Sequence, residues 1–379
     1  MKIQLSKKTL KNALDMIVAV VPSKPVIQLL SNMLVEVIEN RIILYASDTE
    51  STLRVSVDCT ARVEEDEKNM FLIPPALLRG LAGDDGVITL TKRNGTLVVS
   101  DGVFSAELVT NVESVNEFPR GNFAHWDKST STFVTVSTAN LLKALKCVMF
   151  SASKDEVLAN YHAVHFGFRN NIVRLSSTDG YRLSDYTLYP SDCNFTDGFS
   201  ALVPLNTVTL LTKLIKSKSG DEEEDNIDIF VSEKEILFRR GNVQLDGLLS
   251  NAKFPNIDAV MPKTFAAKAV VTGSELMAAV KRAAALQSLF CRFAFNGSSI
   301  VVVHGRSDYG TLDVDVPASE TSGEVFFALN TEFLRQFLDV AGEGVIILQA
   351  INEKAPVLLK ASGLPDYVHL IMTMEVRGN

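Results

Sequence analysis

Apolar positions recur along this chain with two periods, and the switches between them mark its elements. Ile3 and Leu5 alternate with polar neighbours, as in a half-buried strand. Leu10, Leu14 and Ile17 then repeat at helical spacing, with Ser6 ahead of them as a start signal. The passage occurs twice more. Phe133 to Val136 leads through Ser137 to Leu141, Leu145 and Met149, and Ala269 to Val271 leads through Ser274 to Leu276, Val280 and Ala284. A second helix follows midway through each third, opened by Pro74-Pro75-Ala76-Leu77-Leu78-Arg79, by Leu205-Asn206-Thr207-Val208 and by Leu329-Asn330-Thr331-Glu332-Phe333-Leu334. In the last two the shared Asn, Asn206 and Asn330, is placed to cap the helix. Short alternating runs follow each helix: Val87 to Leu90, Thr96 to Val99, Ile227 to Val231, Ile236 to Arg239 and Gly344 to Gln349.

Each third thus reads strand, helix, strand meander, helix, strand meander, which predicts an α+β fold of three repeated units. A Ser/Thr-Asp pair after a strand also recurs, at Ser47-Asp48, Thr178-Asp179 and Ser307-Asp308, with intervals of 131 and 129 residues between the aspartates. In the middle copy, Thr178-Asp179-Gly180-Tyr181-Arg182-Leu183, the Asp-Gly pair predicts a tight turn. That turn leaves an aromatic ring and a cation at a strand end, where they could face a partner. Phe118-Pro119 and Phe254-Pro255 read as strand exits into linkers, because proline cannot donate to a ladder. We place domains at 1–127, 128–256 and 257–379. The acidic run Gly220 to Asp225 reads as a solvated loop.

Composition narrows the function classes. With 46% hydrophobic and 22% charged residues the 379-residue chain is ordinary for a soluble globular protein. No apolar run reaches membrane-spanning length, and Met1-Lys2-Ile3-Gln4-Leu5 enters a strand pattern directly, so we expect no signal peptide and a cytoplasmic location. Cys59, Cys147, Cys193 and Cys291 are scattered, which suits reduced thiols better than a disulfide frame or a zinc site.

Charge placement changes the picture drawn by the net charge of −8. Taken as 6–25, 75–81, 138–154, 205–218, 274–292 and 330–339, the six predicted helices sum to +11, leaving −19 elsewhere. Lys143 and Lys146 share a face opposite Leu141 and Leu145, and Lys213 and Lys216 repeat this opposite Leu211. Basic helix faces on an acidic protein suggest a polyanion-binding surface with sequence-independent, salt-sensitive contacts. Any single lysine is better explained as a solubilising surface residue; the recurrence favours function.

Candidate catalytic groups are few. Asp179, Tyr181, Arg182 and Asp185 could form an acid–base cluster, but Asp48 and Asp308 occupy the same slot in the other repeats, which favours turn capping. His162 and His165 fall on opposite faces at strand spacing, against a metal pair. The chain has no phosphate-cradling G-x-x-x-x-G-K-[ST], no G-x-G-x-x-G after a strand and no G-x-S-x-G. We expect no catalysis, no metal and no cofactor. A scaffold that binds proteins only remains an alternative.

Thr178-Asp179-Gly180-Tyr181-Arg182-Leu183, Phe254-Pro255-Asn256-Ile257 with Val260-Met261-Pro262-Lys263, and Leu370-Ile371-Met372-Thr373-Met374, at these spacings, resemble the bacterial sliding clamp, the β subunit of DNA polymerase III. The resemblance covers all three thirds and identifies a divergent member, of chromosomal, phage or mobile-element origin. It implies three domains, each two helices on a curved, mainly antiparallel sheet, and a ring formed by a head-to-tail homodimer that encircles duplex DNA. The partners implied are a replicative polymerase, a clamp loader and other proteins carrying clamp-binding peptides. The resemblance also implies a peptide cleft between the second and third domains, comprising Leu158, Tyr161, Thr178, Gly180, Tyr181, Arg182, Leu183, Pro255, Val260, Leu370, Ile371, Met372, Thr373 and Met374. DNA-facing cations would be Lys24, Arg79, Lys143, Lys146, Lys213, Lys216, Lys281 and Arg282. Phe104 and Leu286 are the apolar candidates for the dimer interface. The chain departs from the family's usual pattern at Tyr181, Leu158, Thr373 and Glu375, where a histidine, an arginine, a proline and a basic residue are common. A differently tuned cleft follows.

Overall fold

The computed structural model describes residues 1–62, 69–93, 95–195, 198–216, 225–296 and 300–375. Most of the predicted acidic loop, and the tail after Glu375, lie outside these. Among the described residues are six α-helices: α1 (Lys7–Val20), α2 (Pro75–Ala82), α3 (Thr138–Met149), α4 (Leu205–Lys216), α5 (Gly273–Ala285) and α6 (Thr331–Ala341). The α+β expectation is met, since the helices accompany antiparallel sheets built from the predicted meanders.

Chain contacts divide the molecule into two compact units. One comprises 1–138, 191–195 and 206–249; the other comprises 139–190, 196–205 and 250–379. In the first unit, Lys2–Ser6 is paired between Thr60–Arg62 and Val87–Arg93 in a five-stranded sheet. A nine-stranded sheet joins Val243–Leu248 to Ser51–Asp58 edge to edge. In the second unit a twelve-stranded sheet contains Ala163–Arg169, Ile172–Thr178, Arg182–Leu188 and Leu364–Ile371 as consecutive neighbours. The pairing of Arg182–Leu188 with Leu364–Ile371 brings two segments of the resemblance together across more than 180 residues of chain.

Several expected boundaries move, each for a local reason. α1 ends at Val20, not 25, because Val21 precedes Pro22 and is held extended (φ −60°, ψ 121°). Lys24 therefore sits on an exposed loop. α3 and α5 also stop short, leaving Lys154 in a loop and Arg292 on the strand Phe290–Asn296. The helical charge excess shrinks but keeps its sign. Ser274 is not a cap: α5 begins at Gly273, with Thr272 at the N-cap. Gly273 is required there, since a Cβ would lie 2.2 Å from the Gly342 carbonyl oxygen. Asn330 caps α6, its side chain accepting from the Glu332 and Phe333 amides, whereas Asn206 lies within the first turn of α4.

Neither Phe-Pro pair is a strand exit. Both stand in irregular chain, where the ring anchors a long connection: Phe118 in a core cluster with Leu34 and Tyr45, and Phe254 against His165. Among the described residues no helix is long and apolar enough to cross a membrane. No disulfide joins the four cysteines, and burial pushes the Cys147 thiol up to about 12.

Candidate peptide-binding site

The site is built around the hairpin Ile172–Thr178/Arg182–Leu188. Gly180 takes φ +90°, the conformation the Asp-Gly pair predicts. Asp179 fixes the turn: its Oδ1 accepts the Tyr181 and Arg182 amides at 3.0 and 3.1 Å. Thr178 Oγ1 donates to the Arg182 carbonyl at 2.6 Å and accepts the Gly180 amide at 3.0 Å. Asp48 does the same in the first repeat, accepting the Glu50 and Ser51 amides. In the third, the Ser307 hydroxyl accepts the Tyr309 amide at 3.1 Å, as the Thr178 hydroxyl accepts that of Gly180.

Period-two alternation sorts the hairpin's side chains. Tyr181 is 68% exposed, as an outward-facing turn residue should be. Arg182 is the correction: it is 7% exposed and points inward. Its Nε donates to Asp179 Oδ2 at 2.9 Å, its Nη1 donates to Gln336 of α6, and its guanidinium lies 4.3 and 5.5 Å from the ring centres of Phe333 and Phe150. A guanidinium is weakly hydrated and stacks on rings, so it tolerates this burial once paired.

Below it Ser184 joins a buried polar network with Ser151, Tyr367 and His369. His369 Nδ1 lies 2.9 Å from Ser184 Oγ, and the imidazole stacks on Phe337 at 5.2 Å. Burial, assisted by the nearby Arg182 charge, lowers the His369 pKa to about 3; burial also lowers that of His165 to about 4. Both rings are therefore neutral in the folded protein, while in the unfolded chain they take up protons near pH 6.5. Their stabilisation is complete above that value and is lost as pH falls towards the folded-state values. Between pH 7 and pH 4.5 each should remove about 2–3 kcal/mol. His369→Asn, measured by urea unfolding at both pH values, should flatten this acid limb; an unchanged limb would refute the assignment.

On the opposite face Leu183 packs with Ile257, Leu358 and Leu370. Above this floor opens a pocket of about 170 Å3. Its lining includes ten residues expected at the cleft: Tyr161, Thr178, Gly180, Tyr181, Arg182, Leu183, Pro255, Val260, Leu370 and Met372. Four others do not line it. Leu158 is part-exposed in the turn after α3, where its carbonyl accepts the Tyr161 and His162 amides. Ile371 is fully buried because it alternates with Leu370 and Met372 to the other face. Thr373 and Met374 continue past the strand, and the Met374 amide bonds the Ala328 carbonyl. Asn256, Ile257 and Pro356 also line the pocket. The first two stand inside the Phe254-Pro255-Asn256-Ile257 motif and were legible there; Pro356 left no signal.

The candidate DNA-facing cations are distributed as follows. Lys143, Lys146, Lys213, Lys216, Lys281 and Arg282 are exposed on their helices. Arg79 is exposed but paired with Asp15 of α1. Phe104 is half-buried, just before the edge strand Ser105–Val109, and Leu286 is half-buried at the C-cap of α5. Among the described residues no cluster of three His, Cys, Asp or Glu side chains is placed to hold a metal. His162 precedes its strand, and its Nδ1 lies 2.8 Å from the Ser153 carbonyl, while His165 stacks on Phe254.

Residues 1–120 match the family model for the N-terminal domain of the DNA polymerase III beta subunit, and residues 135–256 match the model for its central domain. The chain belongs to the bacterial sliding-clamp family. Similar relatives include the beta sliding clamps of Synechococcus elongatus, 22% identical over the full length of both chains, and of Staphylococcus aureus, 22% identical over 95% of both. Among solved structures, the DNA polymerase III subunit beta from Pseudomonas aeruginosa superimposes with a TM-score of 0.89 at 19% identity, covering 99% of this chain and 100% of that one. The beta subunit from Thermotoga maritima gives 0.85 at 21% identity and 99% coverage of each. A clamp-family fold is thus retained while four residues in five differ, and the turn, hairpin and pocket described above sit within it.

Proposed function

We propose that this chain is a DNA polymerase processivity factor: a sliding clamp that closes around duplex DNA as a head-to-tail homodimer. It catalyses no reaction. Its work is topological, because a ring that encircles DNA can bind weakly everywhere and still stay on, which raises the effective concentration of a tethered polymerase. Three domains, 1–127, 128–256 and 257–379, repeat in each protomer. Lys24, Lys143, Lys146, Lys213, Lys216, Lys281 and Arg282 face the DNA phosphates, with Arg79 held in reserve by Asp15. Phe104 and Leu286 contribute to the protomer contact. The pocket receives an extended peptide from the polymerase, the clamp loader or a repair protein. Tyr181, Val260 and Met372 offer an adaptable apolar wall, with nearby polar groups for register. The setting is the cytoplasm.

The observation that carries this reading is the convergence of ten expected cleft residues, from four distant stretches of chain, on one pocket. Retention on circular against linearised duplex DNA tests it, after loading by a cognate clamp loader and at salt high enough to screen phosphate contacts. Retention on circles with loss from linear ends is expected. Equal loss from both, with loading shown to be competent, would leave electrostatic binding alone and favour the protein-only scaffold.

A further inference from the structure

One wall of the pocket is a short segment, Asn256 to Val260, whose main chain forms a single 3-10 turn, Ile257–Ala259, between long irregular stretches. A single turn has little rigidity of its own, and Ile257 anchors only its start, in the cluster with Leu183. The hairpin face that carries Leu183 also carries the means to hold it. Arg174 and Asp185 lie diagonally across the two strands, and Arg174 Nε donates to both Asp185 oxygens at 2.8 Å. Asp185 is buried and also accepts from Ser176 Oγ at 2.5 Å. Arg174 Nη1 is left to reach out of the strand, and it pairs with Asp258 in the middle of the wall segment.

The same face supplies a second contact. The His165 and Phe254 rings stack at 4.7 Å and 5°, just upstream of Pro255. Gly167 stands opposite Arg174 on the neighbouring strand, and a Cβ there would come within 3.1 Å of the His165 ring. The absent side chain leaves room for the His165 ring.

We propose that Arg174 is a positioning residue for the peptide site: oriented by Asp185, it holds Asp258 and so sets the distance between the Asn256–Val260 wall and the Leu183 floor. This rests on the peptide-cleft reading. Arg174 does not line the pocket, so its effect passes through Asp258 and the wall. The wall's position decides how bulky an apolar peptide side chain the pocket accepts, so the latch governs selectivity as well as affinity.

The test uses the full-length protein and a fluorescein-labelled peptide selected against it from a displayed library of random nine-residue peptides. Arg174→Ala strands the buried Asp185 carboxylate and risks unfolding, so Asp258→Ala is the primary variant; its side chain is 66% exposed and its loss leaves the Arg174–Asp185 pair intact. Asp258→Ala should weaken the peptide three- to tenfold, the range of one charge-assisted hydrogen bond, with the melting temperature unchanged. It should also shift the relative affinities of peptides that differ only in the size of their buried apolar side chain. In a double-mutant cycle with Arg174→Lys, the two losses should be non-additive by at least a factor of three. Equal affinities and preferences for Asp258→Ala and the parent would overturn the inference, and so would additive losses. If Met372→Asp abolishes binding while Asp258→Ala leaves it intact, the cleft stands and the latch falls. If no peptide is selected, or the selected peptide is indifferent to Met372→Asp, both fall.

Discussion

Arg182→Ala is expected to destabilise the second unit by roughly 3–5 kcal/mol, the usual cost of stripping one partner from a buried ion pair. The Arg182 side chain is only 6% exposed and that of its partner Asp179 16%, so water cannot take over the lost contact well. Truncation strips Asp179 Oδ2 of its Arg182 partner, deprives Gln336 of its donor and opens a hole between the Phe150 and Phe333 rings. Because Asp179 also accepts the two turn amides, the turn carrying Tyr181 should loosen. Peptide affinity should fall more than tenfold even though the guanidinium faces away from solvent. Arg182→Lys keeps the charge but not the planar fork, and should recover about half of the stability. Urea unfolding and peptide titration check both expectations; a loss below about 1 kcal/mol would mean that the buried pair contributes little.

The second large effect concerns DNA. Exchanging Lys143, Lys146, Lys213 and Lys216 for glutamate should weaken binding of a short linear duplex about a hundredfold near 0.1 M salt. It should also reduce the slope of log K against log salt by about 3–4, close to 0.9 for each phosphate contact removed. All four side chains are exposed on α3 and α4, above faces whose apolar residues are buried, so stability should hardly change. Peptide binding should persist, because none of the four lines the pocket. An unchanged salt slope would remove these helices from the DNA-facing surface.

Not every expected element could be placed from local pattern alone. Asn206 and Asn330 follow the same Leu and precede the same Thr, yet only Asn330 caps its helix. The difference lies in where the preceding strand hands over to the helix, which strand pairing decides. A predicted helix over 6–25 includes Lys24, although Pro22 is a reason in the sequence to end the helix earlier. Arg182 was expected to face a partner, because nothing near it in sequence reveals Gln336 and Phe333, some 150 residues away. The Arg174–Asp258 link was equally hidden, its ends lying 84 positions apart in the chain.

What the residues determined by themselves is what short-range physics controls: the helical and strand periods, the Asp-Gly turn with Gly180 at positive φ, and the basic helix faces. Each depends on neighbours within a few positions, so it survives without knowledge of the fold. Tertiary structure decided which charges are buried and paired, and where the sheets join. The twelve-stranded sheet pairs Arg182–Leu188 with Leu364–Ile371, and the nine-stranded sheet pairs Val243–Leu248 with Ser51–Asp58. Those pairings satisfy backbone groups that any alternating strand could have satisfied, so the choice among partners was left to long-range packing. That packing also placed the pocket between segments that the sequence shows only as separate motifs.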